Sequence, residues 1–419
     1  MKKRLIPVAV AALALVAGAC SDDDSGTADT TAAPTTADSG TDTTAPSGSE
    51  APGTTPSGDC TLTEPLKIGF AADLGELGGF SDGPGSEAAQ VMVNMINDAG
   101  GVGGLPVEYV VKDIQGDPAA TQRAAQEMLD DGVNAIIGPP FANTGAPLMD
   151  TVNGQAPIVF MATTDPSLAD PSRGAFLTTF SDPVQSSAMA QFALEQGYTT
   201  AITFSSTDDV YFSGNPEYFA DAFEHGGGTM IGDYAFSLAD ADFSTQVNDI
   251  SNLSEKPQVL YTAMVMPQIQ TLMEQLDAAG LGDIVVMGAD AFDATVVWSA
   301  GDVANGVYFA AHTFPTADND VQSFLDTAAA AGANIETISF GALSADAVQI
   351  IAAAATTACS VDPAELISAI DNLENLKVTT GSVTYKGTGG VPQKDVAILT
   401  VENGAPALVE LMRPDYIAG

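Results

Sequence analysis

The side chains able to do chemistry in this chain are acids, hydroxyls and aromatic rings, and they gather just after short apolar runs. Gly75 to Phe80 follow the first such run, Pro139 to Thr144 follow Ile137, and Thr163 with Thr164 follow Phe160. Asp208 to Phe212, including Tyr211, come after Ser205, Met264 to Met266 after the run at 258–263, and Asp290 after Met287. None of these stretches holds a Lys, Arg, His or Cys. An acid beside hydroxyls and rings suits a positively charged nitrogen, which it meets with charge-assisted hydrogen bonds. An anion would have to rely on backbone N–H groups, helix N-termini and hydroxyls.

Catalytic devices are scarce. A Ser-His-Asp arrangement needs a histidine, and the chain has 2. His225 closes a predicted helix before Gly226-Gly227-Gly228, where a positive ring would favour the helix end. His312 falls between predicted elements. There is no G-x-S-x-G elbow and no H-E-x-x-H, and nothing picks out an acid pair for hydrolysis. The glycine clusters at 75–79 and 100–104 read as turns rather than phosphate loops. Asp22-Asp23-Asp24 and Asp240 with Asp242 lack the spacing of a calcium loop, and Trp298 reads as structural. The expectation is a binding protein, not an enzyme, with no cofactor and no metal.

The elements that must position these residues alternate. Leu66 to Ala72 reads as a strand; a helix follows over Ser86 to Asp98, with Ala89, Met92, Val93 and Ile96 on one face and Gly100-Gly101 as its stop. Val107 to Lys112 is strand-like, and Asp117-Pro118 opens a helix to about Asp131 with an N-cap and a proline at its first position. Val133 to Ile137 and Ala156 to Ala162 are the next strands. The pattern resumes with strands at 200–205, 229–235, 258–263 and 284–288 and helices at 215–225, 244–252 and 267–279. Strands alternating with helices predict an α/β protein with doubly wound parallel sheets. Two such series, separated near Ser181-Asp182-Pro183, predict two Rossmann-like lobes, and a solute between them would meet the ends of their strands.

Ahead of this body lies a different kind of sequence. Lys2, Lys3 and Arg4, the apolar run Leu5 to Val16 and Ala17-Gly18-Ala19-Cys20 read as an export signal over 1–19. Its small residues before a cysteine look like a bacterial lipobox, in which Cys20 receives lipid. Ser21 to Asp59 has no Val, Ile, Leu, Met, aromatic, Lys or Arg, so 20–61 is expected to be a disordered tether spanning about 35 Å. No later stretch reads as a membrane span, so the membrane would be reached only through the lipid.

With its three basic signal residues set aside from 12, the chain keeps nine Lys and Arg against 54 Asp and Glu. Such a surface repels nucleic acid and anionic lipid, and reflects either general solubility or a salt-rich habitat. With Cys20 assigned to lipid, Cys60 and Cys359 remain as an even pair in an oxidising compartment, expected to form a disulfide.

Several stretches, in order, carry a family resemblance: Gly100-Gly101-Val102-Gly103-Gly104-Leu105-Pro106-Val107, Val133 to Pro139, Ala156-Pro157-Ile158, Thr163 to Pro166, Asp208 to Tyr211, Asp242-Phe243-Ser244 and Met287 to Asp290. The chain resembles the extracytoplasmic substrate-binding proteins of ABC transporters of the leucine/isoleucine/valine-binding type. That resemblance implies a clamshell with three interlobe crossovers, near 181–184, 310–313 and 376–380. Lobe 1 would then comprise 62–182 plus 312–378, and lobe 2 183–311 plus 379–415. It implies that Asp290 takes a ligand ammonium, that Thr163 and Thr164 meet its amino and carboxylate groups, and that Tyr211 and Phe80 cover it. Where the family usually has a serine after the Ile-Gly-Pro strand end, this chain has Ala142 behind Phe141, with Asn143 and Thr144 as neighbouring hydrogen-bonding groups. An aromatic usual near Met266 is also missing. The implied protein is a monomeric, lipid-anchored receptor on the outer face of the membrane. It would pass a small polar solute, foremost a branched-chain or other neutral amino acid, to an ABC permease/ATPase complex. Amides, urea-like amines, carboxylates and a role in sensing stay open.

Overall fold

A computed structural model describes residues 60–419; the expected signal, Cys20 and nearly all of the tether lie outside the described residues. The first sheet is built from β1 (Lys67–Ala72), β2 (Glu108–Asp113), β3 (Ala135–Gly138), β4 (Ile158–Phe160) and β5 (Ala175–Leu177), all parallel, in the order β2-β1-β3-β4-β5. Between them run α1 (Gly79–Asp98), α2 (Pro118–Asp130) and α3 (Ala142–Val152). The second sheet contains β6 (Thr200–Ser205), β7 (Thr229–Ala235), β8 (Val259–Thr262), β9 (Val285–Gly288) and β10 (Tyr308–Ala311), all parallel. Its helices are α4 (Asp182–Glu195), α5 (Val210–His225), α6 (Ser244–Ser251), α7 (Gln268–Ala278) and the single turn α8 (Thr295–Trp298). Helices α9 (Val321–Ala330), α10 (Ile338–Ala358) and α11 (Pro363–Asp371) return to the first lobe, followed by the hairpin of β11 (Leu376–Val378) and β12 (Gly381–Val383). Finally β13 (Val396–Glu402) and β14 (Ala405–Met412) extend the second sheet antiparallel, giving β14-β13-β10-β9-β8-β6-β7.

The central strands of each sheet are buried on both faces, which is why they read as unbroken apolar runs, whereas the edge strands β2, β7 and β14 are largely exposed. In the first lobe α1 and α10 cover one face, through residues such as Met92, Val348 and Ile351, and α2 and α3 the other, through Met128 and Leu148. Helix α10 is long and apolar enough to cross a membrane, contrary to the expectation that no such stretch follows the signal. It is instead the buried core helix of this lobe. Cys60 and Cys359 are disulfide-bonded across a sequence separation of 299.

The α/β reading of the sequence holds, and the predicted strands and helices of the second lobe lie within a few residues of the observed ones. Two helices start earlier than expected. Helix α1 begins at Gly79 rather than Ser86, and α5 at Val210 rather than 215, each running through a proline, Pro84 and Pro216. A proline inside a helix leaves the carbonyl four residues earlier without its usual donor. Here both carbonyls are satisfied from outside: Phe80 C=O accepts the Thr337 hydroxyl at 3.0 Å, and Phe212 C=O the Ser206 N–H at 3.2 Å.

The chain leaves the first sheet after Leu177, returns after Ala311, and crosses a third time later than the expected 376–380. Residues 379–391 stay with the first lobe: Tyr385 is buried there and donates to Leu177 C=O at 2.6 Å, and Gly390 C=O accepts the Leu177 N–H at 2.9 Å. The crossing falls between Val391, packed on the first lobe, and Val396 in β13. Beside it, buried Lys394 pairs with Asp346 of α10 at 3.2 Å and bonds Thr380 at 2.9 Å.

Candidate functional site

The ends of β3, β4, β6 and β9 converge on the boundary between the lobes. After β9 the chain turns into a short 3-10 segment, Asp290–Phe292. Gly288 permits this, since a Cβ there would lie 2.2 Å from the Phe292 ring. Asp290 is thereby buried at the boundary, its backbone N–H on Gln185 Oε1 at 2.9 Å. Its carboxylate accepts the Tyr211 hydroxyl at 2.8 Å on Oδ1 and His312 Nε2 at 2.9 Å on Oδ2. The Tyr211 oxygen in turn accepts the Ala291 N–H at 3.0 Å.

His312 is fully enclosed, stacked on Phe180 with ring centroids 4.0 Å apart. Burial lowers its pKa against the opposing pull of Asp290, so the ring is neutral near pH 7. With Nε2–H given to the carboxylate, Nδ1 is left without a partner. Two further acids share the charge. Asp182 Oδ1 accepts from Thr164 (2.6 Å), Gln185 (3.1 Å) and Asn215 (2.8 Å). Burial nevertheless lifts its pKa to about 7, helped by the charge of Asp290. Asp293 is raised to about 7 for the same reasons, and its Oδ2 has no partner.

Phe80, Phe141, Thr164, Tyr211 and Asp290 line one cavity, together with Ser81, Pro140, Ala162, Ala291 and Phe340. About 250 Å³ lies between their atoms, but only about 10 Å³ admits the centre of a water molecule, so the lobes are nearly closed on one another. An opening where about 320 Å³ admits the centre of a water molecule adjoins it along the boundary, between Phe80, Glu87 and Val296. Contacts hold the lobes together here: Phe141 meets Tyr211 and Phe212 at 5.9 Å between centroids. Thr295 donates to Glu336 C=O at 2.8 Å, and the Asn143 N–H reaches Asp209 at 3.2 Å.

Other sequence-nominated residues stand beside this cavity rather than on it. The Thr163 carbonyl accepts the Thr179 hydroxyl at 2.6 Å. Ala142 packs on the first lobe, Thr144 bonds back to Phe141 C=O at 3.1 Å, and Met266 packs on the core of the second lobe. Sequence reasoning missed Asp182, Gln185, Asp293 and His312 beside this cavity, and held Asp209 only within the stretch that follows Ser205. The one available signal was His312, one of 2 histidines, near an expected crossover. Among the described residues no group of three or more His, Cys, Asp or Glu could hold a metal ion.

Comparison with known proteins decides what kind of site this is. The periplasmic binding protein family matches residues 65–406. The chain belongs to that family. It is similar to the Leu/Ile/Val-binding protein BraC3 of Rhizobium johnstonii, 26% identical over 81% of this chain and 92% of the relative. Among solved structures it resembles the branched-chain amino acid transporter substrate-binding protein LivJ of Streptococcus pneumoniae in complex with isoleucine. That match has a TM-score of 0.76 at 21% identity, over 84% of this chain and 100% of the other. It also resembles a solute-binding protein of an ABC transporter from R. palustris in complex with benzoate, with a TM-score of 0.73 at 17% identity, over 84% and 97%. As a periplasmic binding protein the chain is a binder of small solutes, not an enzyme.

Proposed function

We propose that this periplasmic binding protein is the lipid-anchored, monomeric receptor of an ABC importer, closing its two lobes on a small organic solute that presents a positively charged nitrogen. The observation that carries the reading is the charge of the site. Asp290 lies buried with Asp182 and Asp293 close enough to feel it, and the cavity lining includes no Lys or Arg. A buried carboxylate without a counter-ion is costly, and a cationic solute supplies one. Tyr211 and His312 each use one lone pair of Asp290, and the remaining ones can accept from an ammonium. The rings of Phe80, Phe141, Tyr211 and Phe340 would cover the apolar part of the solute.

The names of the relatives favour a solute related to the neutral amino acids. Aromatic carboxylates are the second reading, drawn from the benzoate-bound neighbour and the aromatic lining, but the missing cation counts against them. Binding would proceed by opening, entry and closure, the closed form being favoured by contacts to both lobes.

Thermal shift of the full-length protein, unfolded and refolded to strip bound solute, tests this against amino acids, amines, amides and carboxylates. At 100 times its dissociation constant a true ligand stabilises by about 2.7 kcal/mol. The expected responders carry an ammonium and lose their effect in Asp290→Ala. A carboxylate without nitrogen that shifts the melting point in both forms would refute the reading.

A further inference from the structure

Helix α3 starts beside the cavity without a capping side chain of its own, because Phe141 stands at its N-cap. The start of an eleven-residue helix collects N–H groups lacking intrahelical partners and partial positive charge. Such a helix start suits a carboxylate. In this chain the second lobe takes one of its N–H groups. Asp209 Oδ2 accepts the Asn143 N–H at 3.2 Å, while Oδ1 caps α5 through the Tyr211 N–H at 3.0 Å. Asp209 is buried, and Phe141 and Tyr211, two residues from each partner, line the cavity.

Four of the hydroxyls on or beside the cavity are committed in the same sense. Thr164 gives its hydrogen to Asp182, Thr144 to Phe141 C=O and Tyr211 to Asp290, and Ser81 donates to Gly78 C=O. What they have left for a solute is lone pairs, which accept from a cation and give nothing to a carboxylate.

We infer that the solute carries a positively charged nitrogen and no carboxylate, an alkyl or arylalkyl amine rather than an amino acid, and that Asp209 is the residue that sets this preference. The inference rests on the ammonium reading proposed above. Asp209 stands in for the anion that an amino acid would bring, so an amino acid would force two carboxylates onto one helix start, whereas the matching amine brings none. The same carboxylate links the lobes, so closure does not require the solute to supply that bond.

Matched pairs test it: leucine against 3-methylbutylamine and phenylalanine against 2-phenylethylamine, titrated calorimetrically into refolded full-length protein. At least one amine is expected to bind more than about tenfold tighter than its parent amino acid. In Asp209→Asn and Asp209→Ser, both of which keep a capping oxygen, that gap should narrow by about tenfold through tighter binding of the amino acid. An amino acid that binds the unaltered protein as tightly as its amine overturns the inference and leaves the ammonium reading standing. An unchanged gap in both variants, with native melting, removes Asp209 as the determinant and overturns it too. Binding of no member of either pair overturns the ammonium reading and the inference together.

Discussion

Tyr211 and His312 both feed hydrogens to Asp290, and the acids around that carboxylate make the molecule sensitive to protons. Asp182 and Asp293, ordinarily near 3.8, are lifted to about 7 by burial. Between those values the folded protein holds protons on these two groups that the unfolded chain has lost, so their contribution to stability falls as pH rises across this window. The ligand-free protein should therefore melt at a higher temperature at pH 5 than at pH 8. Asp293→Asn removes one of the two groups: it should raise the melting point at pH 8, leave it nearly unchanged at pH 5, and flatten the profile. A profile in the variant parallel to the original would mean that Asp293 is not the titrating group. Asp290 was legible in the sequence because it follows a strand end in an open parallel sheet. Asp182 and His312 were not, because a polar network assembled from separate loops leaves no periodicity, and an acid at a helix start is usually only a cap.

Elements were readable where apolar runs and stop signals agreed, as in β6 to β9, and misread where a proline argued against a helix that tertiary contacts sustain. The early turns of α1 and α5 depend on Thr337 and Ser206 satisfying the Phe80 and Phe212 carbonyls. Neither partner lies on the helix it serves, so no local pattern could announce it. For α1 this bond joins the helix carrying Phe80 and Ser81 to the segment leading into α10. Thr337→Val keeps the side-chain shape and withdraws the donor from a partly buried carbonyl. It should cost about 1–3 kcal/mol in denaturant unfolding, and weaken solute binding by loosening the Phe80 wall. Loss of neither stability nor affinity would show that water replaces the hydroxyl without penalty.

On the scale of the whole molecule, the alternation of strands and helices was enough to foresee two parallel sheets, since strands buried on both faces read as continuous apolar runs. The third crossing was expected too early, because 379–391 is held to the first lobe by tertiary contacts, those of Tyr385, Gly390 and Val391 among them. Those contacts join residues more than 200 positions apart, as in the Tyr385–Leu177 bond with its separation of 208. The disulfide is the longest covalent closure, and its loss frees the unfolded chain most. Cys60→Ser with Cys359→Ser should lower unfolding stability by about 2–5 kcal/mol, read as a drop in denaturant midpoint, while solute affinity at saturating stability is unchanged. An equal loss in the two would place the bridge in the binding cycle.

The position of that bridge also decides where mechanical load travels. Any tension on the chain ahead of Cys60 is shared at once with the end of α10, which is buried throughout the first lobe. A pull from the N-terminal side therefore loads the best-packed helix of one lobe in parallel with β1, instead of peeling the lobe strand by strand. None of that path runs through the three crossings, so a pull arriving at Cys60 bypasses the joints between the lobes.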